Sequence, residues 1–413
     1  MRHLASIGIP AFAATFLAAL PAPAQQQQPG ANFPEGPGKQ LVVDNCGGCH
    51  DINRLRVGYT PEGWRTVERM MQNMEVAITE AQWPQVTSYL IKAFPERPRP
   101  AAVLIDGPVQ AEIKLWPVPT PGSRPHDPLA TRDGMIWYTG QLSGVMGRLN
   151  PKTGEIREFA LKTPHTGPHG AAEDKDGNVW FTGNHIGVIG KLDPKTGAVT
   201  EYRMPDPEVR DPHTLNFDKT GMLWFTAQNA NVIGRLDPKT GEIRLIKSPT
   251  PKSRPYGLII SAANVPVTVL FGTNKIATVD PATLTVKEYT LPDPASRPRR
   301  LALSDENTVW YADWSRGYVG RLDLRTGAVK EWPSPSGPKS EPYGIAFTKG
   351  AVWYNESAAK PNTIVRFDPA TEKFQSWAIP GGGDIVRNMD VTPDGNPVMA
   401  HSLANQVGLV AIK

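Results

Sequence analysis

Residues 167–197 read GPHGAAEDKDGNVWFTGNHIGVIGKLDPKTG, and this stretch decides the fold. It opens on a Pro-His step, passes through an aromatic run NVWFT, and ends a second run at the turn D-P-K-T-G. Proline at the second position of a turn already has the φ that the turn needs, and glycine takes the position where φ is positive. Alternating runs follow such turns, as in EIREFAL (155–161) and TVKEYTL (285–291). The period of two marks them as strands with one face buried.

Working outward, the opening step recurs as Pro125-His126, Pro168-His169, Pro212-His213, Pro255-Tyr256, Pro298-Arg299 and Pro342-Tyr343, every 43 or 44 residues. Val386-Arg387 is the seventh member, without the proline. Aromatic runs follow the steps: MIWYT (135–139), NVWFT (178–182), MLWFT (222–226), VLF (269–271), VWYAD (309–313), VWYNE (352–356) and PVMAH (397–401). Four short strands per unit of about 43 residues describe a propeller blade, so seven units predict seven blades. The 42 Pro and 38 Gly suit many turns and exclude a helical solenoid. The last repeat stops at QVGLVAIK (406–413), so AEIKLWPVP (111–119) is expected to complete the seventh blade and close the ring.

The sequence before this region has a different texture. Residues 1–24 read as a signal peptide: Arg2 and His3, an apolar stretch from Leu4 to Leu20, and Ala22-Pro23-Ala24 as a cleavage signal. Residues 25–37 and 96–110 read as Pro-containing linkers, and 38–95 as helical. The expected architecture is multidomain: a small all-α domain at 38–95, then an all-β seven-bladed propeller at 111–413. No segment after residue 24 is long and apolar enough to predict a membrane span. The net charge is +4, and the densest basic stretch, Arg297, Arg299 and Arg300, is interrupted by Pro298. Nothing there predicts a nucleic-acid surface.

The helical segment holds Cys46-Gly47-Gly48-Cys49-His50. C-x-x-C-H reads as covalent attachment of a c-type haem, with His50 as an iron ligand. That chemistry, with an export signal, predicts the periplasm. A sixth ligand is expected from the helix after Thr60-Pro61-Glu62, where Met71 is favoured over Met70 and Met74. The segment resembles single-haem class I cytochrome c domains over about sixty residues, through the C-x-x-C-H and GWRTVERMMQNM at 63–74.

The residues after each step should ring one mouth of the propeller: His126, His169, His213, Tyr256, Arg299, Tyr343 and Arg387. From the aromatic runs come Gly140, Gly183, Ala227, Thr273, Asp313, Glu356 and His401. Imidazoles from adjacent blades can ligate a metal, so His126, His169 and His213 form a candidate second metal site.

The repeats resemble the streptogramin B (virginiamycin B) lyase family, on residues 167–197 and on EPYGIAFTKGAVWYNE at 341–356. The resemblance covers nearly all of 111–413. It implies C–O elimination at an ester of a cyclic depsipeptide, without water, assisted by Mg²⁺. It places the family's two acids at Glu341 and Glu356. The family's two imidazole positions are Tyr343 and Arg299 here. The candidate catalytic set is therefore Glu341, Glu356, Tyr343, Arg299 and His401.

Together these features lead to the expectation of a periplasmic c-type haem protein in electron transfer, whose propeller binds a small-molecule substrate or a redox partner. The alternatives are a Mg²⁺-dependent C–O lyase, or an enzyme that oxidises a substrate and passes its electrons to the haem.

Overall fold

The computed structural model describes residues 32–47 and 51–413. Seven four-stranded antiparallel sheets form the blades. Blade one contains Pro125–Ala130, Ile136–Gly140, Val145–Leu149 and Ile156–Ala160. The innermost strands of blades two to seven begin at Pro168, Pro212, Pro255, Pro298, Pro342 and Val386. Ala111–Pro117 pairs with Gln406–Ile412, in register from Ala111 opposite Ile412 to Pro117 opposite Gln406, so the two ends of the propeller share blade seven.

Each blade is built by the same local chemistry. The aromatic strand is buried along its whole length in six of the blades. Its Trp is anchored in blades two and three, where Trp180 Nε1 donates to Asp174 (2.9 Å) and Trp224 Nε1 to Asp218 (2.8 Å). The same two aspartates shape the turn before the strand by accepting backbone N–H groups two and four residues on. The glycine of the I-G-K/R-L run faces an aromatic ring of the neighbouring strand. A Cβ on Gly234 would lie 2.0 Å from Phe225 Cζ, so only glycine lets the two strands pair at this distance.

The innermost strands carry a bulge at the opening step. In blade three Pro212 pairs with Ala227 and Leu215 with Phe225, three residues against two. The same offset occurs in blades one, two, four, six and seven, and a step of two against one in blade five. One extra residue on this strand interrupts the ladder. The pairing also corrects one register. Pro255 lies opposite Leu270, so Leu270, not Thr273, is blade four's equivalent of Gly140, Glu356 and His401.

The helical segment corrects the expected domain organisation. It contains three short helices, Lys39–Cys46, Pro61–Asn73 and Trp83–Ala93, and a 3₁₀ segment Ile52–Val57. Thr60 caps the second helix by accepting from the Gly63 N–H (3.0 Å), and Pro61 occupies its first turn. Trp64, Val86, Tyr89 and Leu90 form a small core, in which Trp64 Nε1 donates to the Phe94 carbonyl (2.8 Å). This is not a separate all-α cytochrome c domain. The helices are a cap seated on one propeller domain. Asn73 Nδ2 donates to the Pro121 carbonyl (2.9 Å), and His165 meets Glu75 (3.1 Å). The Gly122 turn lies so close to Arg69 and Met70 that a Cβ would be 2.7 Å from their backbone. Beyond the cap, residues 101–109 lie along blades five and six, where Val103 N donates to Ser336, Ile105 N to Ser376 and Gln375 Nε2 to the Val109 carbonyl. No helix among the described residues is long and apolar enough to cross a membrane.

Candidate functional site at the capped mouth

The bulges gather the step residues into one buried cluster. His126 and His169 have ring centroids 3.6 Å apart, His169 and His213 3.8 Å, and His213 and Tyr256 3.8 Å. Tyr256 and Tyr343 join hydroxyl to hydroxyl in a short hydrogen bond. A threonine relay holds the bulges open. Thr139 Oγ1 accepts from the Asp127 N–H and donates to the His169 carbonyl; Thr182 links Gly170 to His213, and Thr226 links Thr214 to Tyr256, in the same way. The final Thr of the W-x-T runs thus pins the bulges of blades one, two and three to the next blade.

Arg300, one residue past the ring position of blade five, crosses the channel. Its guanidinium donates to Asp127 Oδ1 of blade one (2.8 Å), Thr214 Oγ1 of blade three (2.9 Å) and the Arg387 carbonyl of blade seven (3.0 Å). Asn388 adds a bond to Asp127 Oδ2 (3.0 Å). Burial pushes the Asp127 carboxyl up to about 6, even though Arg300 and Asn388 pull the other way. Burial, together with the surrounding arginines, holds His126, His169 and His213 well below the ordinary imidazole value, so all three are neutral.

Arg299 points the other way and enters an aromatic box. Its guanidinium carbon lies 3.8 Å from the Tyr343 ring centroid, 4.7 Å from Phe271 and 5.0 Å from Trp314. Burial pushes the Tyr343 phenol up, but Arg299, Arg387 and Arg300 outweigh it and bring the group down to about 8. Tyr256 is raised, by burial first and then by its neighbour Tyr343. Of the two hydrogen-bonded phenols, Tyr343 is therefore the one that ionises first.

The two acids are not equivalent. Glu356 is fully buried and accepts from Ser334 Oγ (2.6 Å), the Ser336 N–H (2.8 Å), Ser336 Oγ (2.5 Å) and Thr363 Oγ1 (2.6 Å). Four donors fill the carboxylate's acceptor sites. Glu341 is half-buried, and burial raises its carboxyl despite Arg299 and the Trp314 side chain. A Mg²⁺ shared by Glu341 and Glu356 does not fit this arrangement, because Glu356 has no lone pair to offer. His401 is fully buried, its ring nitrogens have no partner among the described residues, and burial lowers it to about 4.

Among the described residues, the group that could hold a small cation is His126, Asp127 and His169, whose ligand atoms lie within 4.8 Å of one another. His213 is not part of it: its Nδ1 meets Thr214 Oγ1 (3.0 Å). His126 Nδ1 donates to Asp127 (2.8 Å) and His169 Nδ1 to the His213 carbonyl (3.2 Å), which leaves both Nε2 atoms as bases.

Three functional residues escaped sequence reasoning: Arg300, Asp127 and Arg124. The column just after the ring position reads Asp127, Gly170, Thr214, Gly257, Arg300, Gly344, Asn388, and its single Arg and single Asp were the available signal.

A cavity of about 300 Å³ separates cap from mouth. Trp64, Met71, Leu90 and Cys46 line it from the cap, and Arg124, Arg387 and Leu403 from the propeller. Met70 is buried and Met71 half-buried. Cys49, His50 and the signal segment 1–24 lie outside the described residues.

Comparison with known proteins gives the relationship. Residues 107–367 match the virginiamycin B lyase family. A streptogramin B lyase structure is similar at 24% identity and a TM-score of 0.67, over 73% of this chain and 98% of that one. Virginiamycin B lyase from Staphylococcus aureus is similar at 23% identity and a TM-score of 0.67, over 73% and 99%. A catalytically inactive variant of the Staphylococcus aureus enzyme with quinupristin gives 24% identity and a TM-score of 0.65, over 73% and 99%. No curated protein gives a significant match.

These findings correct the expectation of a c-type haem protein in electron transfer. The relationship they give is to lyases of one propeller fold, and it covers the propeller. The helices that carry Cys46 and Met71 form a cap on that propeller, and the cation-holding group among the described residues is His126, Asp127 and His169. This overturns haem c, attached at Cys46 and Cys49 with His50 and Met71 on its iron, and with it electron transfer.

Proposed function

The chain belongs to the virginiamycin B lyase family, and from that premise we propose that it is a propeller enzyme that opens an ester by C–O elimination at the capped mouth. The observation that carries this is Tyr343, which stands at the family's central imidazole position. Its phenol is hydrogen-bonded to the Tyr256 hydroxyl and stacked under the Arg299 guanidinium. A general base works best when its pKa lies near the working pH, and three arginines bring Tyr343 to about 8.

In this reading Tyr343 takes the proton from the carbon next to the one that bears the ester oxygen. A carbon–carbon double bond forms, the C–O bond breaks, and the carboxylate leaves toward the arginines of the mouth. Glu341 beside Arg299 positions that guanidinium, and Glu356 fixes the 334–336 turn beneath the site. Tyr343 is buried, and Ile385 packs against its cluster while lining the cap cavity. Substrate therefore enters past Ile385, from the cavity under the cap. Export to the periplasm, read from residues 1–24, belongs to this proposal as well.

The test is incubation with quinupristin, followed by mass spectrometry. Elimination gives a linear product with the mass of the parent, absent with Tyr343→Phe. Product carrying the mass of an added water, or no product, refutes the proposal.

A further inference from the structure

The cavity under the cap is apolar on one side and cationic on the other. Trp64, Val86, Leu90 and Leu142 are among its apolar walls, and Arg54, Arg124 and Arg387 converge on it. Arg124 and Arg387 are half-buried, and neither forms an ion pair among the described residues. Arg124 Nη1 donates to Gln141 Oε1 (2.9 Å), and Arg387 Nε to Ser402 Oγ (2.8 Å); both partners are neutral. Arg124 and Arg387 line the same cavity; burial first, and then the Arg387 charge, lower Arg124 to about 9.

Two carboxylates also line the cavity, and neither is within ion-pair distance of Arg124 or Arg387. Asp384 accepts the Leu403 N–H in a short bond, and Glu68 accepts from Thr87 Oγ1 (2.6 Å). Like charges held together away from water are costly unless an anion sits between them. Guanidinium forks match a carboxylate in geometry as well as charge.

We infer that the cavity between cap and propeller is a binding site for an apolar molecule that carries carboxylate, with the apolar body against Trp64, Val86 and Leu90 and the carboxylate on Arg124 and Arg387. This does not rest on the lyase reading, because it needs neither Tyr343 nor an ester.

The test uses the purified full chain and two probes of one apolar body, 1-pyrenebutyrate and 1-pyrenebutanol, followed by fluorescence titration. The carboxylate probe binds at least tenfold more tightly than the alcohol, a difference of about 1.4 kcal/mol. Arg124→Gln/Arg387→Gln removes that preference, while Arg124→Lys/Arg387→Lys, which keeps both charges, retains part of it. Circular dichroism checks that each variant is folded. Where the site is filled on purification, intact mass under native and denaturing conditions reveals an apolar carboxylate held by the chain, at lower occupancy in Arg124→Gln/Arg387→Gln. Equal binding of the two probes, a preference unchanged in the Gln variant, or an empty site that binds neither probe overturns the inference.

Discussion

Arg300→Met should cost more stability near neutral pH than in mild acid. Among the described residues Arg300 is the one cation within ion-pair distance of Asp127, since His126 is neutral, and both ends of the pair are buried. Removing one partner of a buried pair leaves the other charge without compensation, at about 3–5 kcal/mol. The pH dependence follows from Asp127. Its folded value, about 6, lies above the ordinary 3.8, so folding favours the protonated form. The stability linked to Asp127 is therefore complete below about 4 and is lost as pH rises through 6, a span of about 3 kcal/mol. Without Arg300 the folded value moves higher still, so at about pH 5 the variant carries a neutral Asp127 and loses only hydrogen bonds, about 1–2 kcal/mol.

Urea unfolding of the wild type and the variant at about pH 5 and about pH 8 measures both costs. Asp127→Asn/Arg300→Met removes the stranded charge and should recover at least half of the loss at the higher pH. Equal losses at both pH values, with no recovery in the double variant, would show that Arg300 acts through packing alone.

Three further outcomes can be measured. Ultraviolet difference spectra of the folded protein should show one tyrosine ionising near pH 8, absent in Tyr343→Phe; no tyrosinate until the ordinary range near 10 would remove the base from the proposed mechanism. His401→Leu removes a buried imidazole without partners and should raise stability by about 1 kcal/mol in thermal melts, whereas a loss would mean that the ring has a role in the fold. Glu356→Ala strands Ser334, Ser336 and Thr363 donors and should lower stability by about 3 kcal/mol or more, with Glu356→Gln costing less; a neutral effect would contradict the filled carboxylate.

The propeller was legible because its determinants are periodic. The Pro-X step, with Val386-Arg387 in its place in the last unit, recurs every 43 or 44 residues ahead of an apolar, mostly aromatic run, and the structure answers with one blade per repeat. Register failed only where that signal thinned. Blade four has Val267 and Thr268 where blades one, two, three, five and six have Trp and an aromatic, and there Thr273 stood in for Leu270. The cap was not legible as a cap. Its helices have their own apolar faces, so residues 38–95 read as a separate domain. Their seat depends on single contacts, such as Asn73 to Pro121 and Gly122 against Met70, that follow no period. The ring was legible as a list of side chains but not as a network. His126, His169, His213, Tyr256 and Tyr343 do meet, yet the group that ties them across the channel is Arg300, which stands one position outside the list.

That one position decides the chemistry of the mouth. The ring taken alone offers three neutral imidazoles and two nearby acids, a composition that invites a divalent cation. The structure puts Arg300 at 2.8 Å from Asp127, the one carboxylate beside those imidazoles, and fills Glu356 with four donors. Arg299 and Arg387 act on the phenol of Tyr343, and Arg387 on Arg124. A cation at His126 and His169 must displace Arg300 from Asp127 or share its oxygens with a guanidinium, and both cost Coulomb energy at low dielectric. An anion meets less competition at Arg124 and Arg387, which have no ion-pair partner among the described residues. The same field that brings Tyr343 into the range of a base therefore favours substrates and leaving groups that carry, or come to carry, negative charge.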